Sequence, residues 1–523
     1  MLFLHATAES QLKTDALDQA IKTMSLKEKI GHLFLIGFPY QSLSPDLQNH
    51  IHKHHFSNFI LFKRNIKSLS QVKILNAELQ KSINKNLNFP ALIALDQEGG
   101  AVSRLPLPVQ QPSALSAGQT KNSDWLFSLG KHMSEIISDS GFNVNLAPVL
   151  DLTSPYTPSF LGSRSLGSNP DEVSRLGLAF SKGLMSGYVI PTAKHFPGVG
   201  GFLSDPHFNA FSISTSYQQL KENDLKPFSI FSSLGPQSII MISHHSYPSI
   251  DPTNIAATFS TVIKEKLLRD EYKFQGVVLT DDLQMKASTE YLSPAKAALK
   301  ALMTGSDLVM MTWSFKDQTE AYNEVYKSVL KKELTLRQLN QKVKRVLVLK
   351  KFASQKPNSF FSLPAWSKTM LGLDERFTQN HFNKNLVKRG LASVQNNQKI
   401  CIISSSKFFL KSFQFNFQKS NKAFWISEKT SPKILLSRLE QSRCDDIYIT
   451  IGGAKTAKLA SEISSLWKKT SIVIINMSSP FLVSSNPQLA QLQSVDLFSN
   501  HKSAGKVLAE SLLRQTVASQ ESE

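Results

Sequence analysis

Gly276-Val277-Val278-Leu279-Thr280, followed at once by Asp281-Asp282, is a short apolar, β-branched run that ends in two carboxylates. It does not alternate polar with apolar residues, so it predicts a strand buried on both faces, as a parallel strand covered by helices must be. Seven further runs share this character: Leu33–Phe38, Phe59–Phe62, Ala91–Asp96, Val144–Leu150, Val189–Ala193, Ser238–Ser243 and Asp307–Thr312. Helical spacing fills the intervals. Leu26–His32 follows the cap residue Ser25, and Asp171–Leu184 opens with Pro170 in a first-turn position. Eight strand-like runs with helices between them predict an α/β fold, a TIM-like (β/α)8 barrel over residues 10–352.

Beyond a Pro/Ser/Phe-containing stretch, read as part of a linker over residues 353–382, the same alternation resumes. Buried runs at Ile400–Ser404, Ala423–Ile426, Ile447–Ile451, Ile472–Met477 and Val495–Phe498 are separated by amphipathic segments, among them Ile434–Leu439, Ala457–Leu466 and Val507–Leu513. With a helix expected near Asn383–Leu391, residues 383–523 read as a smaller open α/β domain with a parallel sheet. Gly452-Gly453 follows a strand but lacks the dinucleotide fingerprint G-x-G-x-x-G, so no nucleotide cofactor is expected.

Composition narrows the function. The 523 residues hold 59 Lys+Arg against 40 Asp+Glu, a net charge of +19, with 41% hydrophobic residues, a globular make-up. The surplus forms no run of five like charges and no basic stripe interleaved with aromatics, which argues against a nucleic-acid partner. Residues 354–523 carry 22 basic and 11 acidic residues, more than half of the surplus, and loose association with an anionic cell wall or membrane surface is one use for it. No apolar run is long enough to span a bilayer. Residues 1–9 start MLFLHATA, like the end of an apolar signal segment and an A-x-A cleavage site. On that reading the protein is exported to the periplasm or medium; otherwise it is cytoplasmic. Cys401 and Cys444 lie at no metal-ligand spacing; one bridge between them is possible but not indicated, and free thiols are expected. The histidines of His50-Ile51-His52-Lys53-His54-His55 have no carboxylate or cysteine partner, so the segment is expected to be solvated and no metal site is assigned.

In a barrel the reactive groups belong at the carboxyl ends of the strands. Those ends gather Asp96-Gln97-Glu98-Gly99-Gly100 with Arg104, then Asp151, then a loop bearing Arg164. After them come Lys194-His195-Phe196-Pro197-Gly198 running on to Asp205 and His207, then His244-His245, and finally Asp281-Asp282. A strand-end aspartate often only caps the next helix, and a lone histidine is often a core residue. Their meeting on one rim favours chemistry.

These motifs, in this order, resemble glycoside hydrolase family 3, specifically its β-N-acetylglucosaminidase branch. Met24-Ser25-Leu26-Lys27-Glu28-Lys29-Ile30-Gly31, Asn145-Leu146-Ala147-Pro148 and Ala257-Thr258-Phe259-Ser260 support the likeness over residues 20–310. The resemblance implies a retaining exo-β-N-acetylglucosaminidase without a cofactor, acting on terminal GlcNAc of β-linked glycans such as peptidoglycan fragments or chitin oligomers. Asp281 would be the nucleophile, with His207 as acid and base and Asp205 orienting it. Asp96, Arg104, Arg164, Lys194 and His195 would bind the sugar. Strand alternation would turn Asp282 away from the mouth. Water or phosphate could serve as acceptor. Alternatives are a β-glucosidase or β-xylosidase of the same family, or a glycan-binding relative without turnover. The sequence departs from the family at Ala101 for Arg, Val199 for His and Pro206 for Ser, which touches loop packing but removes no reacting group.

Overall fold

The computed structural model describes residues 16–83, 89–109, 111–153, 161–199, 211–285, 292–356 and 361–369, and, in the last third, 400–404, 422–425, 431–442, 446–451, 454–466, 471–476 and 493–496. The expected signal remnant, residues 1–9, and the helices expected near Asn383–Leu391 and Val507–Leu513 lie outside the described residues.

All eight barrel runs are strands, and they close in sequence order: β1 (Phe34–Ile36), β2 (Asn58–Leu61), β3 (Leu92–Leu95), β4 (Val144–Asn145), β5 (Ile190–Phe196), β6 (Ile239–Ile242), β7 (Val277–Asp282) and β8 (Leu308–Met311). Neighbouring strands are parallel, and β8 pairs with β1 through Phe34–Val309, Leu35–Met310 and Ile36–Met311. The runs do not alternate because both faces are covered. Leu35, Ile60, Ala94, Ile190 and Leu279 point into the barrel, while Phe34, Ile36, Phe59, Ile93 and Val278 pack in the outer core. The helix Leu336–Ala353 lays Val346, Leu349 and Ala353 against the interior set, next to the strands' amino ends, and so forms the barrel floor.

Helix entry follows the expected chemistry. Ser25 caps Leu26–Gly31 in a reciprocal box with Glu28, and Asn169 caps Pro170–Ser186, with Pro170 opening the first turn. The histidine segment is a correction. It forms the helix Pro45–His54, whose spacing turns His50 and His54 inward together. His50 stacks on Phe315 at 4.2 Å between ring centroids and bonds Gln318 Oε1 at 2.8 Å; both histidines are buried rather than solvated.

The later strands are β9 (Ile400–Ser404), β10 (Lys422–Trp425), β11 (Asp446–Ile451), β12 (Ser471–Asn476) and β13 (Gln493–Asp496), parallel throughout in the order β10-β9-β11-β12-β13. This is the expected open α/β sheet, with helices Pro432–Ser442 and Ala454–Leu466 between strands. Cys401 on β9 is disulfide-bonded, not the free thiol expected from spacing. Within the stretch read as linker, residues 363–369 are helical, and Trp366 is buried against the barrel core with its indole N–H donating to His132 O at 2.7 Å. No helix among the described residues is long and apolar enough to cross a membrane.

Candidate active site

The loop after β3 is shaped by a buried amide side chain. Gln97 is fully buried, and its side-chain oxygen accepts the backbone N–H groups of Arg104 (2.8 Å) and Leu105 (3.2 Å) while its amide donates to Ser103 Oγ and Gln111 Oε1. Its own backbone N–H donates to Asn145 Oδ1 at 3.0 Å, locking the loop to β4. Gly99 sits at φ +95°, and a Cβ there would lie 2.2 Å from Pro112 O, so only glycine closes this turn. The turn leaves Asp96 and Glu98 on the same side.

Around those two carboxylates three cations converge. Lys194 Nζ lies 2.9 Å from Asp96 Oδ1 and 2.7 Å from Glu98 Oε1. Arg104 donates to Asp96 Oδ2 at 3.1 Å, and Arg164 grips Glu98 with both Nε (2.8 Å) and Nη2 (2.9 Å). Burial would raise the two acids, but Lys194 and its arginine partners hold both carboxyls below their usual range. Burial likewise opposes the Lys194 and Arg164 cations, and the carboxylates beside them overcome it, so both stay charged. The result is a rigid set of donors and acceptors at fixed positions, suited to sugar hydroxyls.

Two strand irregularities bring the remaining groups in. Along β5 the pairing with β6 shifts between Ala193 and Phe196, and along β7 the pairing with β8 shifts between Leu279 and Asp282, each by one extra residue. A bulge breaks the period of two, so neighbours can face the same way. Lys194 and His195 therefore both line one cavity, and so do Asp281 and Asp282. The expectation that Asp282 turns from the mouth fails for this reason. Its carboxylate accepts from Thr312 Oγ1 and from the Gln284 N–H at 3.1 Å.

His195 is oriented from behind by Asp151, which is fully buried. The Asp151 carboxylate meets His195 Nδ1 at 2.7 Å and accepts the backbone N–H groups of His195 (3.1 Å) and Val199 (2.9 Å). His244, behind β7, bonds Thr258 Oγ1 at 2.7 Å and reaches Asp282 O at 3.1 Å.

The adjacent aspartates are driven apart. For Asp281, burial is outweighed by His244, His195 and Lys194, together with the Asp282 N–H that donates to it at 2.8 Å, so it stays an ionised carboxylate. Burial, aided by the neighbouring Asp281 charge, pushes Asp282 up to about 6. A pair of acids separated in this way has one member fixed as an anion and one able to hold a proton.

Asp96, Arg104, Arg164, Lys194, His195 and Asp281 thus line a single cavity of about 310 Å3. Asp205 and His207 lie outside the described residues. Glu98, Asp151 and Thr312 join the constellation without having been singled out as site residues. Glu98 stood in the quoted β3 motif, Asp151 at a strand end and Thr312 at the end of the eighth strand run; Thr312 meets Asp282 from the neighbouring strand, a pairing the sequence does not show. Asp96 and Glu98 are held by Lys and Arg, and no cluster of three metal-ligating side chains occurs among the described residues.

Over residues 25–349 the chain matches the model described as the glycosyl hydrolase family 3 N terminal domain. It is 34% identical over 261 residues to a β-hexosaminidase of Nitrosomonas eutropha, a match that covers 48% of this chain and 72% of that protein. The chain belongs to glycoside hydrolase family 3. A second relative is β-hexosaminidase A of Pseudoalteromonas piscicida, 29% identical over 317 residues, 57% of this chain; the aligned part spans 53% of that protein, about half its length. The solved family 3 β-N-acetylglucosaminidase from Paenibacillus sp. str. FPU-7 superposes with a TM-score of 0.82 over 94% of this chain and 97% of that one, at 23% identity. The fold is therefore shared along nearly the whole length.

Proposed function

We propose that the protein is a retaining exo-β-N-acetylglucosaminidase that releases terminal GlcNAc from β-linked glycans, with peptidoglycan fragments or chitin oligomers as substrates. The observation that carries this reading is the position of Asp281, held ionised on the wall of the cavity that the Asp96–Glu98–Lys194–Arg104–Arg164 network also lines. The relatives named β-hexosaminidase support the sugar. Asp96, Arg104, Arg164, Lys194 and His195 bind the terminal ring through its hydroxyls and acetamido group. Asp281 attacks the anomeric carbon as the bond to the leaving oxygen breaks, and His207, oriented by Asp205, gives that oxygen its proton. His207 then takes a proton from water, whose oxygen displaces Asp281 and restores the carboxylate. A histidine acid, with an ordinary pKa of ~6.5, needs little tuning for both steps near neutrality.

In this reading the barrel, residues 10–352, carries the chemistry and residues 383–523 form a separate unit joined by residues 353–382. Assaying aryl β-GlcNAc beside aryl β-glucoside tests the sugar; strict preference for glucose refutes it. Mass spectrometry after trapping with a slow fluorinated GlcNAc donor tests the mechanism, with a covalent sugar expected on Asp281.

A further inference from the structure

Trp313, just past β8, is 64% exposed, yet it lines the same cavity as Asp281. Its position is fixed from several sides. Its backbone N–H donates to Gln284 Oε1 at 2.8 Å, and Gln284 Nε2 donates to Asp317 Oδ2 at 2.7 Å. The Arg64 guanidinium lies 4.3 Å from the centre of the indole, and Arg64 is itself anchored by donating to Thr312 O (2.7 Å) and Phe38 O (3.2 Å). A large aromatic side chain held rigid but left this bare does little for the core. It presents an apolar plate at the rim of a polar pocket.

The size of the pocket says what the plate is for. About 310 Å3 is at the low end for ligand sites, and the polar groups that would grip a sugar converge inside it. A terminal ring occupies those groups, so the next ring of a glycan must lie outside, at the rim where Trp313 stands. One face of a pyranose ring is a sheet of C–H groups, which fits the electron-rich face of an indole. Arg64, stacked on the ring, stiffens it against rotation.

We propose that Trp313 is the platform for the sugar on the leaving-group side, so that the preferred substrates are β-linked disaccharides or longer glycans rather than simple glycosides. This rests on the GlcNAc-releasing activity proposed above. The test compares the full chain with Trp313→Ala and Trp313→Phe on GlcNAc-β-1,4-GlcNAc and on methyl β-GlcNAc, which lacks a second ring. Trp313→Ala is expected to lower kcat/KM on the disaccharide about tenfold while changing the methyl glycoside less than about twofold, and Trp313→Phe to restore most of the loss. Equal losses on both substrates, or none on the disaccharide, overturn the platform and leave the activity standing. If the parent enzyme cleaves neither compound but does cleave glucosides, the proposed activity is wrong. Cellobiose and methyl β-glucoside then decide the platform by the same criterion.

Discussion

Lys194 at the mouth of the barrel and Lys350 at its floor are equally buried, yet they are driven in opposite directions. Burial pulls both toward neutrality. At the mouth two carboxylates, Asp96 and Glu98, reverse that pull; at the floor Lys350 donates to Ser57 O (2.9 Å), Ser57 Oγ (3.1 Å) and Pro90 O (3.1 Å), pairs with no carboxylate among the described residues, and its pKa falls well below the ordinary lysine value. Lys264 repeats the floor pattern, donating to Thr258 O, Ala301 O and two hydroxyls. The difference teaches that Lys194 is held charged by the carboxylates beside it, while Lys350 and Lys264 serve as long hydrogen-bond donors that seal backbone carbonyls.

The largest test of that contrast is Asp281→Asn. It is expected to lower kcat/KM on aryl β-GlcNAc by at least about 10³-fold, with the melting temperature nearly unchanged. Near-normal turnover would remove the chemistry from the mouth altogether. Next come the two lysines. Lys194→Met strands two buried carboxylates and is expected to cost about 3–5 kcal/mol in urea unfolding as well as activity. Lys350→Met deprives carbonyls of a donor, should cost about 1–3 kcal/mol, and should leave kcat/KM of the folded enzyme intact. Equal stability losses, or a matching loss of activity at the floor, would erase the distinction.

A smaller effect sits behind the mouth, where Asp224 packs against Gly198 near Asp151. Burial and the Asp151 charge raise its carboxyl from 3.8 to about 6. The folded state therefore holds an extra proton between those values, and this group opposes folding increasingly as pH rises from 3.8 through 6. Asp224→Asn should thus stabilise by about 1–3 kcal/mol at pH 8, with the gain fading toward pH 4 in thermal unfolding followed across pH. A gain independent of pH would show that Asp224 is not the source. The smallest effect is expected on the outer wall, where the exposed Lys121–Glu172 pair at 2.7 Å should contribute less than about 1 kcal/mol in a double-mutant cycle.

The eight barrel strands could be read from the chain because covering a parallel strand on both faces forces a continuous apolar run. The five later strands followed by the same rule. Asp96, Lys194, His195 and Asp281, which line one cavity, were readable as strand-end polar residues, since βα loops begin there. What escaped was pairwise. His50 and His54 looked like surface residues until a helix brought them to one buried face. Cys401 was expected as a free thiol because sequence spacing says nothing of distance in space. Glu98 was visible within its motif but not as the joint partner of Lys194 and Arg164, which come from two other loops.

The sequence by itself determined the alternation of strands and helices, and with it the end of the barrel that carries the polar groups, because burial on two faces and loop chemistry are local properties of the chain. Only the tertiary structure decided which neighbours share the mouth. A one-residue bulge in β5 and another in β7 override the strict alternation of side chains, and a bulge is defined by how a strand pairs with its neighbour. The bare Trp313 at the rim was likewise one aromatic residue among many until the fold set Arg64 against it and left it exposed.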